Sequence, residues 1–193
     1  MAKKRKPESE MMSYGYDPHL SEGAAKTPLF QTSTFIFKNS EEGKAHFHIA
    51  YGLRKKRKNE SVSLAYSRIN NPNAEIVEER LKIWDNAEAC AVFQSGMAAI
   101  TTTILEITKP NTLIMHSSPL YGGTDHFIKH VLPKYGIKSM YFDSFDTIDK
   151  IVNKKNIKYP NLKVSLVYIE SPANPTNSLV DIKKSKEIAN YFS

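Results

Sequence analysis

Residues 89–127, ACAVFQSGMAAITTTILEITKPNTLIMHSSPLYGGTDHF, decide the fold. They contain an apolar run (Ala89 to Phe93), a glycine turn, an apolar helix-length pattern from Met97 to about Ile107, a second apolar run (Thr112 to Met115) and another glycine-bearing turn. Runs this short suit strands buried on both faces, and each leads through a turn into a helical pattern. The alternation continues downstream. It predicts a helix from about Thr124 to Lys134, a strand over Lys138 to Phe142 and a helix from Phe145 to about Asn153. A strand over Val164 to Ile169 and a last helix from about Ile182 complete it. Strands alternating with helices predict an α/β fold, a mostly parallel sheet with flanking helices.

Upstream, Asn73 is placed to cap a helix over Ala74 to Asp85, with Ile76, Val77, Leu81 and Trp84 on one face. Residues 1–71 are irregular apart from one predicted helix, capped by Ser40 and running to about Tyr51, with Glu41 and Glu42 at its positive end. A segment this long with so little structure is expected to pack on something else, most simply a partner subunit. The expected organisation is therefore an N-terminal arm over 1–71 and the first part of a larger α/β domain over 72–193. The domain is expected to be incomplete. A pairing strand should follow the amphipathic helix DIKKSKEIANYF (181–192), yet the sequence stops at Ser193.

Composition bounds the function. Of 193 residues, 40% are hydrophobic and 24% charged, as in ordinary globular proteins. No stretch approaches the ~20 apolar residues of a membrane span, and the opening MAKKRKPESEMM lacks the apolar core of a secretory signal. Cys90 is the only cysteine, which excludes an internal disulfide and fits a reducing cytoplasm. The net charge of +7 is patchy: Lys3 to Lys6 and Arg54 to Lys58 hold nine of the 27 basic residues. Neither run has helical or strand periodicity or interleaved aromatics, so both read as solvated loops and no nucleic-acid partner is expected. No G-x-G-x-x-G or G-x-x-x-x-G-K-[ST] occurs, which argues against a nucleotide-binding α/β domain.

In parallel α/β sheets, ligands bind beyond the carboxyl ends of the strands. Three loops fall there, and a fourth ends the arm. In Gln94-Ser95-Gly96-Met97 the glycine permits a tight turn, and the N–H groups of Gly96 and Met97 form a phosphate seat at a positive helix end. In the loop Ser117 to Thr124, Tyr121 can stack on a flat heteroaromatic ring or simply pack the loop. In Glu170 to Asn177, two prolines stiffen a loop that carries Asn174. That residue can donate to a phenolate-like oxygen or serve as a turn residue. In Ala65 to Pro72, Arg68 offers a fork of donors suited to phosphate, though a surface arginine reads the same way.

Together the motifs are more specific than any one. YSRINNPN (66–73), FQSGMAAI (93–100), PLYGGTDHF (119–127) and ESPANPTNSLVDI (170–182), with YGYDPHLSEGAAKTPLFQTSTFIF (14–37), resemble successive motifs of one family. It is the Cys/Met-metabolism (trans-sulfuration) family of pyridoxal 5′-phosphate (PLP) enzymes. Its members include cystathionine γ-synthase, cystathionine γ-lyase, methionine γ-lyase and the O-acyl-homoserine sulfhydrylases. The resemblance implies the fold type I PLP-dependent transferase architecture, PLP as cofactor, no metal and a homo-oligomer, dimer or tetramer. It implies a sulfur amino acid or O-acyl-homoserine as substrate and a role in cystathionine or homocysteine metabolism, including methionine biosynthesis. It assigns Ser95, Gly96 and Met97 to the phosphate seat. Tyr66 and Arg68 become the pair that reaches a neighbouring subunit's cofactor phosphate. Tyr121 becomes the tyrosine stacked on the cofactor ring, which also assists proton movements, and Asn174 lies near the ring oxygen.

Three family parts do not occur in these residues: the aspartate that pairs with the pyridine nitrogen, the lysine that holds the cofactor, and the arginine that holds the substrate carboxylate. Lys183, Lys184 and Lys186 do not match the lysine motif. The 193 residues are therefore expected to be inactive alone. The alternative is a catalytically dead remnant or assembly partner of the same fold. Position 123 is glycine where methionine γ-lyases carry cysteine, which argues against that member.

Overall fold

A computed structural model describes residues 6–58, 60 and 63–193. Of the first basic run, Lys3 to Arg5 lie outside the described residues. The chain divides into two compact units, Met1–Val92 and Phe93–Ser193. The helix that the sequence grouped with the α/β part falls in the first of them.

In the first unit, α1 (Pro7–Glu10) starts on a proline, whose missing N–H costs nothing at that position. A 3-10 turn over Pro18–Ser21 follows, with Asp17 accepting from the His19 N–H. Helix α2 (Ser40–Ala50) forms where predicted, but its cap is Asn39, whose side chain accepts from the Glu42 N–H. Helix α3 (Pro72–Asp85) also starts earlier than expected. Asn71 caps it by accepting from the Asn73 N–H, and Pro72 takes the first helical position. Of the apolar residues expected on one face, only Ile76 is buried, whereas Val77, Leu81 and Trp84 are exposed. Asn73, expected as the cap, is used differently: it accepts from Phe30 N–H at 2.9 Å and donates to Pro28 carbonyl at 2.8 Å. Asn71 also donates to the Phe30 carbonyl at 3.0 Å. The two asparagines thus fasten the segment around Phe30 to the start of α3. Gly15 is required where the chain runs over this helix. Its φ is +74°, and a Cβ there would stand 2.7 Å from Glu79 Cβ. In the second basic run, Arg54 is pinned to the Glu60 carboxylate at 2.8 and 2.5 Å, while Lys55 to Lys58 are solvated.

In the second unit, three strands form a parallel sheet in the order β2-β1-β3: β1 (Thr112–His116), β2 (Lys138–Tyr141) and β3 (Lys163–Tyr168). The central strand is buried at four of its five positions, because both faces are covered. Ile114 points into one apolar layer with Ile104, Leu120, Phe127, Ile128, Leu132 and Ile137. Leu113 and Met115 point into the other, with Met140, Phe142, Ile151, Val164 and Ile188. Helix α4 (Gly96–Ile107) and the residues flanking the short α5 (Gly122–His126), Leu120 before it and Phe127 and Ile128 after it, line the first layer. Helices α6 (Ile148–Lys158) and α7 (Ile182–Phe192) line the second.

Three expectations are corrected here. Ala89 to Phe93 is not a strand: no described residue joins it in a ladder, and Val92 and Phe93 are exposed. Apolar character alone does not make a strand without a neighbour to complete its ladder. The expected helix over Thr124 to Lys134 is broken into three pieces. After α5 it widens to a π-turn over Phe127–Val131 and tightens to a 3-10 turn over Leu132–Tyr135. Pro133 has no N–H to give and crowds the carbonyl one turn back, so a regular ladder cannot pass through it. Finally, α6 starts at Ile148 rather than Phe145, because Thr147 supplies the cap, accepting from the Lys150 N–H.

Candidate functional site

The first loop opens α4. Ser95 is the N-cap, its hydroxyl oxygen accepting the Ala98 N–H at 3.1 Å, and its main-chain carbonyl accepts Ala99 N–H at 3.1 Å. Gly96 and Met97 are the first residues of a helix of 12 residues with no acidic side chain in its first turn. A Cβ on Gly96 would meet nothing within 4 Å. The positive end of α4 therefore faces open space, which suits a phosphate dianion.

The second loop leaves β1. Tyr121 is 42% exposed, so part of its side chain remains available to a ligand. A Cβ on Gly123 would stand 2.7 Å from Tyr121 Cε1 and 2.8 Å from Met97 Sδ. The ring and the thioether thus both pack directly on Gly123, so closely that no Cβ would fit. The structure brings Tyr121 and the Ser95–Met97 turn together at this point.

The third loop leaves β3. Ala173 and Ser178 close it through an antiparallel bridge, with Ala173 N–H donating to Ser178 carbonyl at 2.9 Å. Asn174 sits on this tight loop, exposed. Its position beyond the end of β3 matches expectation, but no hydrogen bond joins its side chain to the other loops among the described residues.

Tyr66 and Arg68 lie in the other compact unit. Thr34 and Tyr66 form an antiparallel bridge, and Ser67 N–H donates to Ser33 carbonyl at 2.9 Å. The Arg68 guanidinium carbon lies 5.3 Å from the centre of the Tyr66 ring. Both side chains are exposed. They form a paired, outward-facing cation and phenol, suited to an anion.

Two features escaped the sequence reading. One is Glu170, whose carboxylate spans the second and third loops. The other is His116, the last residue of β1, 4% exposed. Its Nδ1 is 2.8 Å from the Ser117 carbonyl oxygen, which fits the tautomer protonated on Nδ1. Burial holds its imidazole below the ordinary value of 6.5, against the opposing pull of the Ser117 carbonyl. The folded chain therefore binds this proton more weakly than the unfolded chain. The stability this brings is complete above pH 6.5 and declines as pH falls below it toward the lower folded value. The melting temperature is expected to drop as pH falls below 6.5, and His116→Gln to flatten that part of the profile. Parallel wild-type and variant profiles would contradict the assignment to His116.

The family model described as Cys/Met metabolism PLP-dependent enzyme matches residues 8–192. An L-methionine γ-lyase of Treponema denticola is 36% identical over 167 residues, 86% of this chain and 38% of that protein. An O-acetyl-L-homoserine sulfhydrylase of Leptospira meyeri is 28% identical over 189 residues, 98% of this chain and 39% of that protein. The crystal structure of a Campylobacter jejuni protein described as an O-acetylhomoserine (thiol)-lyase, carrying a pyridoxyl-lysine phosphate, matches with a TM-score of 0.79 at 24% identity. The match covers 98% of this chain and 42% of that one, and it shows the shared fold. The chain thus spans about two fifths of the length of the curated relatives it matches.

Proposed function

The chain belongs to the family of Cys/Met metabolism PLP-dependent enzymes, and from that premise we propose that the whole protein performs γ-elimination or γ-replacement on a sulfur amino acid or an O-acyl-homoserine. The setting is cystathionine or homocysteine metabolism in the cytoplasm, in a homo-oligomer. The observation that carries this reading is the Tyr121 ring beside Met97, at the open N-terminus of α4. A flat, phosphorylated pyridine needs both: a seat for its dianion and an aromatic face for its ring.

The residues fit that group. Gly96 and Met97 would donate main-chain N–H groups to the phosphate, and the missing Cβ of Gly96 leaves room for close approach. Bound PLP supplies an electron sink for the α-carbon of an amino acid. Tyr121 would cover one ring face, and its hydroxyl could hold or pass a proton near the substrate. Asn174 would donate its amide to the ring oxygen, keeping the ring oriented. Tyr66 and Arg68 would close the phosphate site from a neighbouring subunit. Gly123 supports a preference for cystathionine or O-acyl-homoserine over methionine.

The whole protein, loaded with PLP, is expected to release 2-oxobutanoate from cystathionine or O-acetylhomoserine at ~1 per second or faster. Absence of release from either, together with no homocysteine or cystathionine formed from O-acetylhomoserine when sulfide or cysteine is supplied, with PLP bound, would overturn the enzymatic reading and favour an assembly role. The 193 residues alone are expected to release none, because neither the Ser117–Tyr121 loop nor the Glu170–Leu179 loop contains a lysine.

A further inference from the structure

We propose that Glu170 is the positioning residue for Tyr121, a role that rests on the place given to Tyr121 above. Glu170 lies two residues beyond the end of β3 and carries a carboxylate with three donors. One oxygen accepts the Tyr121 N–H at 2.5 Å. The other accepts the Thr124 hydroxyl at 2.9 Å and the Tyr168 hydroxyl at 3.0 Å. The main chain on both sides is tied as well. Ser117 N–H donates to Tyr168 carbonyl at 3.0 Å, and Glu170 N–H donates to Ser117 Oγ at 3.2 Å.

These contacts bear on one side chain. Tyr121 begins α5 without a side-chain cap from its own neighbourhood. Glu170, 49 residues away in sequence, supplies a negative group at that helix start. Thr124 is fully buried, so its hydroxyl holds the carboxylate from the inner side. The phenol of Tyr168 is pushed up to about 12, mainly by burial and then by its bond to Glu170. It therefore stays a protonated donor across the physiological range. The Tyr121 ring packs so closely on Gly123 that not even a methyl group would fit between them. Its orientation thus follows the main chain of residues 121–124, which Glu170 grips at both ends. Glu170 need not touch a cofactor to do this. It holds the strand-end loops in register so that the Tyr121 ring stays beside the Ser95–Met97 turn.

Glu170→Gln is the direct test, since the amide nearly preserves shape but removes the charge and turns one acceptor into a donor. Amide hydrogen exchange at Tyr121, measured without cofactor, is expected to quicken about ten- to hundred-fold. With PLP added to the whole protein, its induced circular dichroism is expected to fall, because the ring beside it is no longer fixed. Tyr168→Phe leaves both Tyr121 and Thr124 on the carboxylate and is expected to change exchange at Tyr121 by less than about threefold. Should Glu170→Gln fail to fold, Thr124→Val removes the inner anchor at similar volume and is expected to quicken exchange at Tyr121 by about fivefold. Wild-type exchange in Glu170→Gln, or in Thr124→Val where the former does not fold, overturns the proposal. So does a Tyr168→Phe effect as large as that of Glu170→Gln, which would assign the change to core packing. If wild-type protein binds no PLP, the cofactor reading fails, while the exchange comparison still decides the role of Glu170.

Discussion

Chains with Arg68→Ala are expected to bind PLP about ten- to hundred-fold more weakly, the loss of one charge-assisted contact worth roughly 1.5–3 kcal/mol. Arg68 is exposed, stacked over Tyr66 at 5.3 Å, and no carboxylate pairs with it among the described residues. Its fork is thus pre-oriented and free for an anion. Lysine at this position is expected to rescue only part of the loss, because a point charge cannot bond in two places at once. Tyr66 and Arg68 belong to one compact unit, and the Ser95–Met97 turn, Tyr121 and Asn174 to the other. The proposed reading takes the two groups from different subunits of the whole protein. Mixing tests that division. In a two-fold dimer made from Arg68→Ala and Tyr121→Ala chains, one site inherits both intact parts and the other inherits both defects. Random exchange makes about half the dimers mixed, so about a quarter of wild-type activity should return. If subunits exchange and nothing returns, Arg68 serves its own chain.

The sequence disclosed the second unit well because its signals were local. Short runs around Leu113, Met140 and Val164, set between helical patterns, read as strands, and the central one is buried. The start of α4 was legible because a glycine turn adjoins an apolar helical pattern. The failures have a common cause: tertiary partners that the residue itself does not reveal. Ala89 to Phe93 has the composition of a strand, but a ladder needs a neighbour. Asn73 has the chemistry of a cap, yet Asn71 sits at the actual helix start, which frees Asn73 to hold the main chain at Pro28 and Phe30. Glu170 was read only as the first residue of a loop, and its three donors come from residues 121, 124 and 168. Only Tyr168 is near it in sequence. One signal could have marked it, an acidic side chain directly following an apolar strand on the ligand-binding edge of the sheet.

Ile114→Ala is expected to cost about 2–5 kcal/mol of folding stability, the range for removing a buried branched side chain that leaves a cavity. Ile114 is fully buried at the centre of the middle strand, paired with Ser139 on one side and Leu166 on the other. A typical domain holds only about 5–15 kcal/mol in total, so the denaturant midpoint should fall steeply. A control on the same strand makes the result specific. Met115 is equally buried and its truncation to alanine carries a similar cost, but strand alternation sends it to the opposite face, among Met140, Phe142 and Ile188. Ile114 shares its layer with Leu120, the residue before Tyr121, and with the partly buried Met97. A cavity there loosens the floor on which the Tyr121 ring and the α4 turn rest. Both variants should melt earlier, as read by urea titration. Only Ile114→Ala should also weaken PLP retention and quicken amide exchange at Tyr121 under conditions where both variants remain folded. Equal disturbance of the site by the two variants would mean that it depends on overall stability and not on the layer beneath it.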